Sequence, residues 1–466
     1  MSANLYDLLA GRFPADRARP CFLLPDGRAI SYGELETGAA QAAGRLAAEG
    51  VAPGDRVMLQ AEKSPESIMI YLGVLKAGAV YVPLNSAYTP AEVADFRADA
   101  EPRVFIDDPP HWVAEARAHA PMTGSVPRAA GDLASLIYTS GTTGRSKGAM
   151  LSHGALADNA LALHAAWGFT PEDVLLHALP IFHVHGLFVA LHCALLSGAP
   201  MVWLAKFDDA QVLTGLERAT VMMGVPTFYT RLLANPGFTR QRAERLRLFV
   251  CGSAPLLPST FAEFEARTGQ RILERYGMSE AVIITTNPLA GERIAGSVGY
   301  PLPGVDLRVD DAGEIQIRGP SVFSAYWRAP EKSAESFTPD GYFRTGDVGR
   351  IDPDGRVWIS GRAKDLIISG GYNVYPKEVE LVLDELPGVV ESAVIGCPHP
   401  DFGEGVVAVV IGQGDEAAMI AETRRSLAAY KAPKRVVFVG ELPRNAMGKV
   451  MKNRLRETYA GIFGGG

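Results

Sequence analysis

Apolar residues in Ser31–Glu49 and Ser64–Ala77 recur at helical spacing, whereas Arg56–Leu59 and Val80–Val82 are short runs of strand character. This alternation continues through most of the chain and predicts parallel or mixed sheets flanked by helices. After about Val305 the texture changes to short strands and turns: Leu307–Val309, Glu314–Arg318, and Arg356–Ile359 behind the turn Pro353-Asp-Gly355. A fresh pattern begins at Asp365. It predicts a helix over Val374–Leu386, strands over Val389–Ile395 and Val406–Ile411, a helix over Ala417–Ala429 and a strand over Val436–Val439. The expected fold is therefore α/β. A large N-terminal domain (1–363) carries a small β-rich subdomain, and a small, mobile α+β C-terminal domain (364–466) follows a boundary near Arg362–Asp365.

The 466 residues exceed one ordinary core, which agrees with two or three domains. Hydrophobic residues make up 47% and charged residues 21%, the balance of a soluble globular protein. A net charge of −7 argues against nucleic acid as the main partner. Cys21, Cys193, Cys251 and Cys397 lie far apart and form no C-x-x-C pair, so neither a disulfide framework nor a thiolate zinc site is expected. The apolar stretch Leu179–Ala205 contains His183, His185 and His192 with glycines and prolines, and reads as buried core rather than a membrane span. Met1-Ser-Ala-Asn-Leu-Tyr-Asp7 has no basic region followed by an apolar stretch, so a cytoplasmic location is expected.

The densest chemistry is Tyr138-Thr-Ser-Gly-Thr-Thr-Gly-Arg-Ser-Lys-Gly148, directly after the apolar run Leu133–Ile137. Gly141, Gly144 and Gly148 let the backbone fold back and aim N–H groups at an anion. Thr139, Ser140, Thr142 and Thr143 add hydroxyls, and Lys147 a compact positive charge suited to a polyphosphate. The spacing departs from the P-loop pattern, which disfavours a P-loop kinase. Four more motif regions follow in order: Tyr276-Gly-Met-Ser-Glu280; Tyr342-Phe-Arg-Thr-Gly-Asp347 with Gly361-Arg-Ala-Lys-Asp365; Gly370-Gly-Tyr-Asn-Val-Tyr-Pro376; and Pro443-Arg-Asn-Ala-Met-Gly-Lys449.

Together these motifs resemble the adenylate-forming superfamily of acyl-CoA synthetases, luciferases and peptide-synthetase adenylation domains, over essentially the whole chain. The resemblance implies an enzyme that joins a carboxylate to the α-phosphate of ATP and then passes the acyl group to a thiol. Catalysis would rest on positioning and electrostatics. ATP would be held by Thr139, Ser140, Gly141, Thr142, Thr143, Gly144 and Lys147. Gly252, Ser253, Ala254, Tyr276, Gly277, Met278, Ser279, Asp347 and Arg362 would complete its site. Thr142 and Glu280 would bind Mg²⁺, which prefers hydroxyl and carboxylate oxygens. Lys449 would deliver charge to the first step beside Glu280 and Lys147. Lys364 matches the hinge position, and Ser369-Gly-Gly371 would face coenzyme A.

Leu179–Val189, Gly224–Tyr229, Arg293–Gly299 and Val389–Gly396 are similar to the malonyl-CoA synthetase branch. The implied substrate is malonate or methylmalonate, with Arg293 gripping the second carboxylate and His183 positioning the acid. The bland alternatives are a structural salt bridge for Arg293 and a satisfied core histidine for His183. The His183-x-His185 spacing, without a nearby cysteine or carboxylate, does not suggest a metal site. Two departures stand out: Ser146 where the family usually has proline, and Ala281-Val-Ile-Ile284 where threonine and asparagines are usual. The second is expected to border the acyl site, and leaves open another short or medium carboxylic acid. A non-catalytic acyl-adenylate- or nucleotide-binding protein is disfavoured, since Lys449 and Glu280 are both present. Because the chain stops at Gly466, a free-standing enzyme using coenzyme A is expected over a peptide-synthetase module.

Overall fold

The computed structural model describes residues 2–139, 147–444 and 449–464. Ser140, Gly141, Thr142, Thr143, Gly144 and Ser146 lie outside the described residues. The chain forms two compact units. One comprises Met1–Leu307 and Ile317–Phe343, the other Arg308–Gln316 and Arg344–Gly466.

The first unit contains two sheets. One runs in the order Val104–Ile106, Arg56–Gln60, Val80–Leu84, Leu133–Thr139, Lys147–Ser152. Its first four strands are parallel, and Lys147–Ser152 returns antiparallel with Lys147 opposite Thr139. The other has a parallel centre of Leu273–Tyr276, Leu248–Cys251, Val221–Gly224, Leu175–His177, Met201–Trp203 and Pro20–Leu23. Antiparallel strands flank this centre: Ala29–Ser31 beside Pro20–Leu23, and Thr285–Thr286 with Ser297–Pro301 beyond Leu273–Tyr276.

Capping chemistry fixes where the helices start. Ser31 and Glu34 form a reciprocal capping box at the head of Tyr32–Ala48. Ser64 accepts from Ser67 N–H at the head of Pro65–Lys76, with Pro65 in the first turn. Leu179–Ala205 is mostly buried, with Ala205 at its end exposed. It contains a π-helical segment, His185–Ala190, that runs into the helix Leu191–Ser197. No described helix is long and apolar enough to cross a membrane.

The second unit includes most of the long hairpin Phe343–Ile351/Val357–Arg362 and a sheet ordered Tyr372–Val374, Ile367–Ser369, Gly403–Gly412, Val389–His399. Arg435–Val439 pairs parallel to Gly403–Gly412. The expected helix over Val374–Leu386 is confined to Pro376–Leu383, because Tyr372–Val374 pairs as a strand with Ile367–Ser369. Val379, Leu383, Val394, Val406, Ala408 and Val410 form its core.

Candidate active site

Three tight segments of the first unit carry most of the expected chemistry. The strand Leu273–Tyr276 turns sharply at Gly277, where a Cβ would lie 2.0 Å from the Val282 carbonyl oxygen. Only glycine allows that approach. Ile284 N–H donates back to Tyr276 O (2.9 Å), and Val282 sits in the left-handed region at φ 58°, uncommon for a β-branched residue. The turn leaves Tyr276, Gly277, Met278 and Ser279 half-buried and Glu280 buried. Ala281, Val282, Ile283 and Ile284 are also fully buried.

Lys147 opens the strand Lys147–Ser152, where Thr139 Oγ1 donates to its carbonyl at 3.3 Å. Its Nζ lies 5.2 Å from the centre of the Tyr326 ring. The Tyr326 hydroxyl donates to Glu280 Oε1 at 2.9 Å. Lys147 and Glu280, distant in sequence, thus meet on opposite parts of one tyrosine. Sequence reasoning missed Tyr326, and no motif spacing pointed to it.

Gly252-Ser-Ala254 follows the strand Leu248–Cys251, with Ser253 at φ 71° and Ala254 exposed. Gly252 is bare because Arg275 fills the space: a Cβ there would be 2.5 Å from the guanidinium carbon. Arg275 is 5% exposed, and burial pulls its pKa down to about 10. Its Nη2 reaches Ser253 Oγ at 3.5 Å, while its Nε has no hydrogen-bond partner. Ser253 Oγ is also 3.3 Å from His185 Nδ1, and the buried His185 Nε2 lacks a partner too. Burial, then the Arg275 charge, hold His185 neutral, well below its usual pKa. His183 is half-buried, and its Nδ1 accepts the His185 backbone N–H at 3.3 Å.

Behind this group, Lys63 Nζ donates to His177 O (2.7 Å) and lies 2.8 Å from His177 Nδ1. His177 Nε2 is 2.9 Å from the Gly186 carbonyl, which can only accept, so the proton sits on Nε2. Burial pushes the Lys63 ammonium well below its usual pKa. This chain of bonds ties the π-helical segment bearing His185 to the parallel strands.

Arg293 is hydrogen-bonded to other residues. It donates to Pro288 O (3.2 Å), Arg271 O (2.6 Å) and Leu289 O (2.7 Å), fastening its own loop. These bonds are to carbonyls, so the bland alternative of a salt bridge takes a different form, a backbone clamp.

In the second unit, Arg362 Nε pairs with Asp347 Oδ1 at 2.7 Å across the hairpin where the two residues are in register. Arg362 is exposed, whereas Asp347 is buried. Lys364 is exposed in the short turn Ala363–Asp365. Ser369 is buried, and Gly370 and Gly371 adopt φ of 62° and 83° in the turn between two strands. Lys449 is exposed, beside the bridge between Arg444 and Val450. Among the described residues no cluster of three His, Cys, Asp or Glu side chains could hold a metal unaided. A buried carboxylate such as Glu280 fits Mg²⁺ bound jointly with substrate phosphates, the usual manner for that ion.

Residues 9–327 match the family model described as AMP-binding enzyme, and 378–449 match the AMP-binding enzyme C-terminal domain. The chain is similar to a malonate–CoA ligase of Arabidopsis thaliana, 34% identical over 93% of this chain and 85% of the relative. It is also similar to a feruloyl-CoA synthase of an Amycolatopsis species, 36% identical over 96% and 99%. Among solved structures it resembles ATP-bound MatB from Rhodopseudomonas palustris, 48% identical, with a TM-score of 0.95 over 99% of this chain and 100% of that one. The chain belongs to the AMP-binding family of adenylate-forming enzymes and is an AMP-forming acid–thiol ligase that uses ATP and coenzyme A.

Proposed function

We propose that this enzyme makes malonyl-CoA or methylmalonyl-CoA. A carboxylate oxygen of the acid attacks the α-phosphorus of ATP, and the bond to pyrophosphate breaks. The thiol sulfur of coenzyme A then attacks the acyl carbon, and AMP leaves. Lys147 and the Thr139–Gly144 segment hold the phosphates. Glu280 and Thr142 bind Mg²⁺, which neutralises phosphate charge. Lys449 stabilises charge developing in the first step. Tyr276, Gly277, Met278 and Ser279, with Gly252, Ser253 and Ala254, border the nucleotide and the acid, while Asp347 and Arg362 engage the ribose and a phosphate. Rotation about Lys364, taking 364–466 as the mobile domain, brings Ser369-Gly-Gly371 to the thiol step. The site of action is the cytoplasm.

The observation that carries the choice of acid is Arg275. A guanidinium this buried, with an unpartnered Nε and without an ion pair among the described residues, is costly unless an anion completes it. With Ser253 and His185 beside it, it suits the second carboxylate of malonate, and His183 lies next to that group. Arg293, engaged by three carbonyls, is the less suitable grip.

The test is coenzyme A consumption with ATP, Mg²⁺ and a panel of malonate, methylmalonate, acetate and butyrate. Malonate or methylmalonate should exceed the monocarboxylates in kcat/KM by about 10²-fold or more, since a site built to pair a charge rejects acids lacking it. Comparable turnover of butyrate and malonate sinks the dicarboxylate assignment. Arg275→Met should raise KM for malonate much more than for acetate. If Arg293→Ala is the acid-selective variant instead, the grip belongs to Arg293.

A further inference from the structure

We propose that Tyr326 is a positioning residue that sets the spacing of Glu280 and Lys147 in the nucleotide site. The role rests on the acid-activating reading, because it concerns where Mg²⁺ and the phosphates would be held.

The two charged residues belong to different sheets of the first unit: Lys147 begins a strand of the five-stranded sheet, and Glu280 follows a strand of the other. The segment Phe323–Trp327 is fastened to both. Towards the lysine, Tyr326 forms a backbone bridge with Ala149, Trp327 N–H donates to Gly148 O (2.7 Å), and Met150 N–H donates to Ala325 O (3.0 Å). Towards the glutamate, Phe323 N–H donates to the Glu280 carbonyl at 2.7 Å. The Tyr326 ring packs edge-on against Phe323 with centroids 4.8 Å apart, and its N–H donates to Ser333 Oγ at 2.9 Å. The ring therefore has a fixed place relative to both strands.

One ring also serves two opposite charges without bringing them together. Its face attracts the Lys147 ammonium, while its hydroxyl donates to the Glu280 carboxylate. A direct lysine–glutamate pair would turn each charge towards the other and away from phosphate and metal. A hydroxyl donating to a carboxylate orients it in the way that outer partners orient metal ligands elsewhere, and losing such a partner typically costs about 10–100-fold in metal affinity.

The test is ATP binding by isothermal titration calorimetry across a Mg²⁺ series, on the intact chain. Tyr326→Phe keeps the ring under Lys147 and deletes only the hydroxyl. It should raise the Mg²⁺ needed for half-maximal ATP binding by about 10-fold, with affinity restored at saturating Mg²⁺ and the melting temperature unchanged. Tyr326→Leu removes both contacts and should weaken ATP binding even at saturating Mg²⁺. An unaltered Mg²⁺ dependence in Tyr326→Phe overturns the positioning role, as does a loss of binding fully explained by a lower melting temperature. If the unmodified enzyme shows no Mg²⁺-promoted ATP binding, the acid-activating reading fails and takes this role with it.

Discussion

Glu274 and Arg275 are neighbours on one strand, so their side chains leave opposite faces and meet different surroundings. Glu274 is buried and accepts backbone N–H bonds from Gly296 (3.0 Å) and Leu256, yet burial outweighs them and raises its pKa from 4.5 to about 8. The unfolded chain therefore releases this proton at lower pH than the folded one. Its contribution to stability is present below about pH 4.5 and falls as pH rises towards about 8. Urea melts across that window should show Glu274→Gln losing less stability with rising pH than the parent; parallel pH profiles would exclude the effect. Arg275 makes the complementary case. No ion pair to it exists among the described residues, so Arg275→Met should leave the melting temperature level or raised while malonate activity collapses. An uncompensated buried charge is often replaced by a hydrophobic residue without loss of stability.

At the scale of elements, the turn after Leu273–Tyr276 matters most, because the placement of Glu280 depends on it. Gly277→Ala forces a methyl group against the Val282 carbonyl, and relieving that contact should cost about 1–3 kcal/mol. Activity should fall further than the melt predicts, because the shift passes directly to Glu280; activity tracking stability alone would show that the turn is only a connector. The sequence made such elements readable where local chemistry decides them. The helical spacing over Ser31–Glu49 and Ser64–Ala77 matches the helices Tyr32–Ala48 and Pro65–Lys76. It did not separate Tyr372–Val374 from the following helix, because that strand exists only through pairing with Ile367–Ser369. Arg275, Tyr326 and Lys63 were invisible for a related reason. Their partners stand 22, 46 and 114 residues away, and nothing in a single sequence reports burial or an unpaired nitrogen. Arg293 could be picked out by residue type alone, but not the three carbonyls, of Pro288, Arg271 and Leu289, that it engages in the fold.

At the scale of the whole molecule, the expected groups divide between the two compact units. Lys147, Glu280, Tyr326 and Arg275 belong to the first, and Lys449, Asp347, Arg362 and the Gly370-Gly371 turn to the second. Under the proposed function, the second unit supplies a charge to one step and a bare turn to the other, so the two steps should be separable by mutation. Lys449→Ala should slow acid-dependent pyrophosphate release by about 10²–10³, the usual worth of one preorganised charge. The same variant should still pass an acyl group from supplied malonyl-AMP to coenzyme A. Gly371→Leu should do the opposite. A side chain at φ 83° is strained and occupies the turn that the thiol would pass, while pyrophosphate release makes no use of that turn. Measuring both half-reactions in both variants decides the matter. If each variant loses both steps to the same degree, the second unit acts as a single rigid part of one site, and Lys364 has no hinge to provide.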